Sequence, residues 1–175
     1  MNTAFIEFEV RRPEKLAALE RFIERLSEAK RSDKFPVDTE WNVYFDSSSL
    51  AYFENLSPEE MKEWETEWWA TPVERRLRDF SLWPHWDFPS FLDALKNGEF
   101  LVSLLHVTAS PLKLVFEPLA FPYGGPDCLI AATEAFGQEV TGVDDGTGYR
   151  PYVKQPRWQP KSRLRPDDPD AVPHS

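Results

Sequence analysis

The sequence predicts a single α+β domain in which helices pack on one face of a small antiparallel or mixed sheet. Three observations lead to this prediction: an alternating strand followed by an amphipathic helix near the N-terminus, two β-rich stretches beyond residue 99, and a short apolar helix that precedes a last strand. The 175 residues, 41% of them hydrophobic, are enough for one domain with its own core.

The first strand is predicted over residues 3–10, where apolar side chains alternate with polar ones. Pro13 stands where a first helical residue is expected, and a helix is predicted over residues 13–31. Its apolar residues recur at helical spacing: Leu16, Leu19, Ile23 and Leu26.

An inserted segment is predicted over residues 40–98. It begins with a hairpin over residues 40–54, whose turn is Asp46 followed by three serines and whose first strand carries an apolar face. That face consists of Trp41, Val43 and Phe45.

Three helices complete the inserted segment. Two stretches have the pattern of a capping box with proline at the first helical position, namely Ser57-Pro58-Glu59-Glu60 and Thr71-Pro72-Val73-Glu74. Another helix is predicted over residues 88–97, with Gly98 as its end.

Beyond the insertion, strands are predicted over residues 100–107 and 112–121, a helix over 126–136 and a strand over 139–143. Without the insertion, the order is β-α-β-β-α-β, the split β-α-β (ferredoxin-like) arrangement. A mixed sheet with another strand order is the alternative. The domain is expected to span residues 1–153, and the proline-rich residues 154–175 are expected to be an extended tail.

Composition excludes several classes of function. The net charge of −10 disfavours nucleic acid and anionic membranes as partners, because both are bound mainly through Lys and Arg. The one cysteine excludes an intramolecular disulfide and a zinc site with several thiolates. No signal peptide is evident, so a cytoplasmic location is expected, and no cofactor is predicted.

Two glycine-containing turns are the candidate sites for chemistry. Gly124-Gly125-Pro126-Asp127 opens a helix after a strand, but it lacks the residues of a phosphate-binding or dinucleotide-binding loop. Cys128 lies in the first turn of that helix, where a thiol can become a nucleophile if a base such as His106 is near.

The second turn contains Asp144-Asp145-Gly146. With Glu117, the two aspartates are candidate metal or ligand groups, although the spacing of a calcium-binding EF-hand is absent. The usual role of such residues is to hold a turn through backbone amides.

The region of residues 57–87 combines five tryptophans with a series of glutamates. Aromatic side chains ringed by carboxylates are typical of a surface that binds a basic protein, whereas a small core of packed tryptophans is the structural alternative. Stacking of carbohydrate on exposed tryptophan is a weaker possibility. The candidate partner-binding residues are Glu63, Glu67, Trp69, Trp83, His85 and Trp86.

The sequence therefore favours a binding protein over an enzyme. We expect an acidic module, of the inhibitor or immunity type, that masks a basic protein and is a monomer or homodimer. One alternative is a small enzyme or ligand-binding protein with its site at the two glycine turns. Another is a self-associating structural subunit that uses a sheet edge or the tryptophans.

Overall fold

A computed structural model describes residues 4–105, 111–120 and 125–164, and it has an α+β fold. The elements in chain order are β1 (Ala4–Glu9), α1 (Pro13–Ser32), α2 (Asp38–Trp41), α3 (Ser47–Leu50), α4 (Pro58–Ala70), α5 (Val73–Arg76), α6 (Phe88–Asn97), β2 (Phe100–Leu105), β3 (Leu112–Pro118), α7 (Asp127–Ala135), β4 (Glu139–Asp144) and β5 (Tyr149–Pro151), with 3₁₀ turns at Asn42–Tyr44, Phe80–Leu82 and Lys161–Arg163.

The described strands form one antiparallel sheet in the order β2-β3-β1-β4-β5. β1 lies in the centre, with Ile6 opposite Leu114 of β3 on one side and opposite Val143 of β4 on the other. The strands β1 to β4 lie where the sequence predicts strands. The edge strand β5 follows the Asp144–Gly148 turn and was not predicted.

Side chains of α1 and α7 share one hydrophobic core with alternate residues of β1. Ala4, Ile6 and Phe8 of β1 are fully buried, whereas the residues between them are half-buried. This alternation is the pattern of a strand with one face on a core. At the centre of the core, Phe22 of α1 lies 5.5 Å from Trp41 and 5.7 Å from Phe136 between ring centroids.

The hairpin predicted over residues 40–54 is wrong, because this segment forms α2, a 3₁₀ turn and α3. Asp46 does not begin a hairpin turn; its carboxylate caps α3 by accepting from the Ser49 amide at 2.7 Å. Trp41 and Phe45 are buried, whereas Val43 is 80% exposed. The 3₁₀ turn between Trp41 and Phe45 carries Val43 on its outer side, while the rings before and after the turn enter the core.

Of the two predicted capping boxes, the one at Ser57 is confirmed and the one at Thr71 is wrong. The Ser57 side chain accepts from the Glu60 amide, and the Glu60 carboxylate accepts from the Ser57 amide. Thr71 instead ends α4, and its hydroxyl donates to the Glu67 carbonyl at 2.8 Å. Pro72 is the N-cap of the short α5, which has no side-chain cap.

The chain divides into two compact units. Unit 1 comprises Met1–Phe53 and Trp86–Val153, and it contains the sheet and the core. Unit 2 comprises Glu54–His85 and Lys154–Ser175. The segment that the sequence places in an extended tail thus belongs to the same unit as the tryptophan-rich helices. None of the described helices has both the length and the apolarity that crossing a membrane requires.

Candidate functional site

A row of carboxylates lies along one side of α4 in unit 2. Glu60, Glu63 and Glu67 are spaced three and four residues apart, so they follow one face of the helix over about 10 Å. We call these three residues the acidic stripe. Glu65 belongs to the same helix but is exposed and lies off this spacing.

Residues 154–164, here called the C-terminal segment, bind the acidic stripe at three points. The Trp158 indole donates to the Glu67 carboxylate at 2.8 Å, and the Lys161 amide donates to the Glu63 carboxylate at 3.2 Å. Two nitrogens of Arg163 donate to the two oxygens of Glu60, at 2.8 and 2.7 Å. The C-terminal segment therefore runs antiparallel to α4.

The Arg163 end of this interaction is an ion pair with both oxygens of Glu60 engaged. Arg163 also donates to the Asn55 carbonyl at 3.1 Å and lies 3.4 Å from a carboxylate oxygen of Glu54. The Arg163 hydrogen bonds, followed by the Ser57 amide, hold the pKa of Glu60 below its ordinary value. The same pairing raises the pKa of Arg163. Such paired bonds between guanidinium and carboxylate are specific in geometry as well as charge.

The Trp158 end of the interaction is buried. Trp158 is 6% exposed, and its backbone amide donates to the Trp83 carbonyl at 2.9 Å. The backbone at Trp158 also forms an isolated bridge with Pro84. Trp158 is thus an anchor of unit 2, where burial of a tryptophan contributes both apolar area and a satisfied N–H donor.

The C-terminal segment also neutralises the acidity of the tryptophan-rich region. Residues 54–85 have eight acidic and four basic side chains, whereas residues 154–164 have four basic and no acidic ones. The described part of unit 2 therefore has equal numbers of both signs. The acidic surface that the sequence predicts is present in α4, but within unit 2 it faces the chain's own basic segment.

A small aromatic cluster stabilises the helices of unit 2. Trp64 and Trp68 of α4 have ring centroids 5.4 Å apart, and Trp83 meets Trp68 edge-on at 5.7 Å. The indoles of Trp64 and Trp83 donate to the carbonyls of Leu82 and Arg76, respectively. The cluster fits the structural alternative for these tryptophans, since the three rings pack on one another and the indole donors of Trp64 and Trp83 are engaged.

Unit 2 also exposes a set of large apolar side chains between residues 69 and 83. Trp69 and Leu77 are each 72% exposed, and Trp83 is 40% exposed. The Arg76 guanidinium lies 5.0 Å from the ring of Trp69. We define the exposed apolar set as Trp69, Val73, Leu77, Phe80 and Trp83.

An open depression of about 600 Å³ lies beside this set in unit 2. Its lining mixes charges of both signs with one aromatic ring and two residues of the C-terminal segment, namely Glu74, Arg75, Arg78, Asp79, Phe80, Ser81, Gln155 and Pro156. An open depression of this kind differs from the enclosed pockets that bind small molecules.

The structure places the predicted partner-binding residues in different surroundings. Trp69 and Trp83 are exposed, whereas Glu63 and Glu67 accept hydrogen bonds from the C-terminal segment. His85 is half-buried in unit 2. Trp86 belongs to unit 1, where it packs half-buried on the hydrophobic core.

Sequence reasoning missed Trp158 and Arg163, the two side chains that bind the acidic stripe. The sequence signal for this interaction was the charge of residues 154–163, which contain four basic side chains and no acidic one. Residues 54–67 have the opposite charge. The prolines of this run favoured an extended tail, and the complementary charge alone does not specify where such a tail binds.

The predicted nucleophile lies in the core of unit 1. Cys128 is buried, and burial raises the pKa of its thiol to about 12, with a further contribution from the Asp127 carboxylate. A high pKa opposes formation of the thiolate that a nucleophile requires. The proposed base, His106, and the turn residue Gly124 lie outside the described residues.

The carboxylates of the second glycine turn bind the turn itself. Asp144 accepts from the amides of Gly146 and Gly148, and Asp145 accepts from the amide and hydroxyl of Thr147. Arg150 forms an ion pair with Asp145 at 2.9 Å. The hydrogen bond from the Thr147 hydroxyl, followed by the contact with Arg150, holds the pKa of Asp145 below its ordinary value.

The third candidate of this ligand set, Glu117, is exposed and lies in β3 opposite Leu101 of β2. Across the residues that the structure describes, no three His, Cys, Asp or Glu side chains converge as a metal site would need. No family model, curated protein or solved structure matches this chain.

Proposed function

We propose that the chain is a non-enzymatic protein-binding module of the inhibitor or immunity type, which binds a basic protein through unit 2. The observation that carries this proposal is the exposed apolar set. Five large apolar side chains within 15 residues are exposed, and only one of them, Trp83, also belongs to the aromatic cluster of this unit. Exposed apolar surface of this density is typical of interfaces with other proteins.

The charge of the chain supports a basic partner. Acidic residues exceed basic ones by 10 in the whole sequence. A net negative charge accelerates encounter with a positively charged protein, and this attraction weakens as salt is raised. Trp69 and Leu77 would then supply the apolar contacts that slow dissociation.

Affinity capture with matched baits tests the proposal. The bait variant Trp69→Ser/Leu77→Ser removes two members of the exposed apolar set, and Val43→Ser serves as the control because Val43 is at least as exposed but lies in unit 1. We expect a basic protein from the source cell to be retained by the wild-type and control baits and lost from the variant.

Calorimetric titration of the purified captured protein then gives the affinity directly. We expect the two substitutions to weaken binding at least about tenfold, which is typical when central apolar contacts are removed. A protein that binds wild type and Trp69→Ser/Leu77→Ser equally, or the absence of any captured protein, would contradict the proposal.

Self-association is the alternative that the same exposed apolar set supports. A second copy of the chain would cover Trp69 and Leu77 as a different protein would. Light scattering at micromolar concentration distinguishes the two, because the double variant would convert a dimer to a monomer only if these residues form a contact between copies.

For the architecture of unit 1, we propose the split β-α-β arrangement. The strand order β2-β3-β1-β4, with α1 after β1 and α7 after β3, supports this arrangement.

A further inference from the structure

The interaction between α4 and the C-terminal segment has the features of peptide recognition. The occupant is a largely extended stretch with four basic side chains and no acidic one. The surface is a helix that presents three carboxylates in a row. The contacts combine one buried aromatic anchor, Trp158, with one fully engaged guanidinium, Arg163.

The register of this interaction is specific. Trp158 and Arg163 are five residues apart, and their partners Glu67 and Glu60 are seven residues apart on α4. Lys161 binds Glu63 between them, through its backbone amide. The middle contact uses a backbone donor, which every residue except proline has, whereas the two end contacts use the side chains of Trp158 and Arg163.

We propose that the acidic stripe of α4 is a binding site for a basic peptide segment that has a tryptophan followed five residues later by an arginine, and that residues 154–164 are its tethered occupant. The inference rests on the proposed function in one respect: it names the element by which a basic partner protein binds unit 2. A partner segment of this type displaces the C-terminal segment and takes its place on Glu60 and Glu67.

Because the C-terminal segment is tethered to α4 through the same chain, a partner segment must compete with it for the acidic stripe. A segment attached to the same chain competes at an effective concentration in the millimolar range. A free peptide of identical sequence therefore binds the wild-type chain weakly, and it binds strongly once the contacts of the tethered segment are removed. A partner segment therefore displaces the C-terminal segment only if its affinity for the acidic stripe is high enough to overcome this competition.

The test uses a fluorescein-labelled synthetic peptide with the sequence of residues 154–164 and the full-length chain, measured by fluorescence anisotropy. The released variant is Trp158→Ala/Arg163→Glu. We expect it to bind the peptide at least about tenfold more tightly than wild type. Equal binding to both proteins would overturn the proposal, since the C-terminal segment would then not occupy the peptide site.

Two matched controls test the site and the register. In the released variant, Glu60→Gln/Glu67→Gln is expected to weaken peptide binding at least about tenfold, whereas Glu65→Gln/Glu74→Gln, with the same change of charge at exposed positions off the stripe, changes it less than about threefold. A scrambled peptide of the same composition is expected to bind at least about tenfold more weakly. Equal effects of the two glutamine pairs, or equal binding of the scrambled peptide, would reduce the interaction to nonspecific attraction and overturn the proposal.

A second measurement applies if the released variant loses the structure of α4. Hydrogen exchange of the α4 amides would then be fast, and millimolar peptide is expected to restore their protection. Failure to restore it would overturn the proposal. The exposed apolar set is unchanged in all of these variants, so failure of the proposed function at Trp69 and Leu77 is seen separately.

Discussion

Glu60 has two functions in unit 2. Its carboxylate completes the capping box of α4 by accepting from the Ser57 amide at 2.8 Å, and it binds Arg163 through both oxygens. One side chain thus couples the start of a helix to the position of a segment 103 residues away in the chain. Loss of the Glu60 charge would weaken both the cap of α4 and the binding of Arg163.

We predict that binding of the C-terminal segment is lost in acid. The pKa of Glu60 is lowered in the folded chain, so its ionised form stabilises this contact at any pH above the ordinary glutamate pKa of about 4.3. The stabilisation disappears as pH falls below that value and through the lowered pKa. The measurement is hydrogen exchange between pH 7 and 3 of the Trp158 amide, whose acceptor, the Trp83 carbonyl, does not titrate, after correction for the intrinsic exchange rate.

The Glu60→Gln variant serves as the control for this titration. Glutamine has no charge to lose, so exchange of the Trp158 amide should be faster than in wild type at pH 7 and should depend less on pH. An identical pH profile in the two proteins would contradict the role of Glu60.

Cys128 is the residue whose environment most clearly opposes a catalytic role. We predict that it reacts with a thiol reagent at pH 8 at least about a hundredfold more slowly in the folded chain than in guanidinium, because burial raises its pKa to about 12. The measurement is the time course of reaction with a chromogenic disulfide reagent. Complete labelling of the native chain within seconds would show a reactive thiol.

At the scale of elements, the segment from α2 to α3 shows how local pattern and tertiary packing can disagree. Alternation of apolar residues at positions 41, 43 and 45 predicts a strand, but the same residues also allow helical spacing of Trp41 and Phe45. Packing decided between the two. Both rings approach Phe22 in the core, with centroid distances of 5.5 and 5.2 Å.

Substitutions at Phe45 and Val43 distinguish the two conformations. We predict that Phe45→Ala lowers the free energy of unfolding by about 3–5 kcal/mol, because it empties a buried site in the aromatic core. Val43→Ala should change it by less than about 0.5 kcal/mol, since Val43 is exposed. Urea unfolding measures both changes in the free energy of unfolding. A similar loss of stability at Phe45 and Val43 would favour the strand predicted from the sequence.

Elements with strong local signals were predicted closely. The helix α1 begins at Pro13 and ends at Ser32, against a prediction of residues 13–31, and α6 matches residues 88–97. Proline at the first turn and an apolar face at helical spacing are short-range features. The α5 cap was mispredicted because Thr71 was equally able to end α4, and only the path of the chain chose between these roles.

At the scale of the whole molecule, the charge is distributed differently in the two units. The described part of unit 2 has equal numbers of acidic and basic side chains, so the excess of 10 acidic residues lies elsewhere in the chain. A basic partner is therefore attracted by the chain as a whole, while unit 2 supplies specific contacts. Removing the C-terminal segment from α4 would restore a local excess of carboxylates.

The sequence by itself determined the fold class, the strands β1 to β4, the helices α1, α4, α6 and α7, and the acidic, tryptophan-rich character of residues 57–87. These follow from periodicity, capping residues and composition, which act over a few neighbouring residues. Only the tertiary structure decided that Trp41 and Phe45 enter the core from the end of α2 and from the residue after the 3₁₀ turn, and that Trp158 and Arg163 bind Glu67 and Glu60. The residues of these pairs are 91 and 103 positions apart in the chain, so a pattern within a few neighbouring residues cannot show that they bind each other.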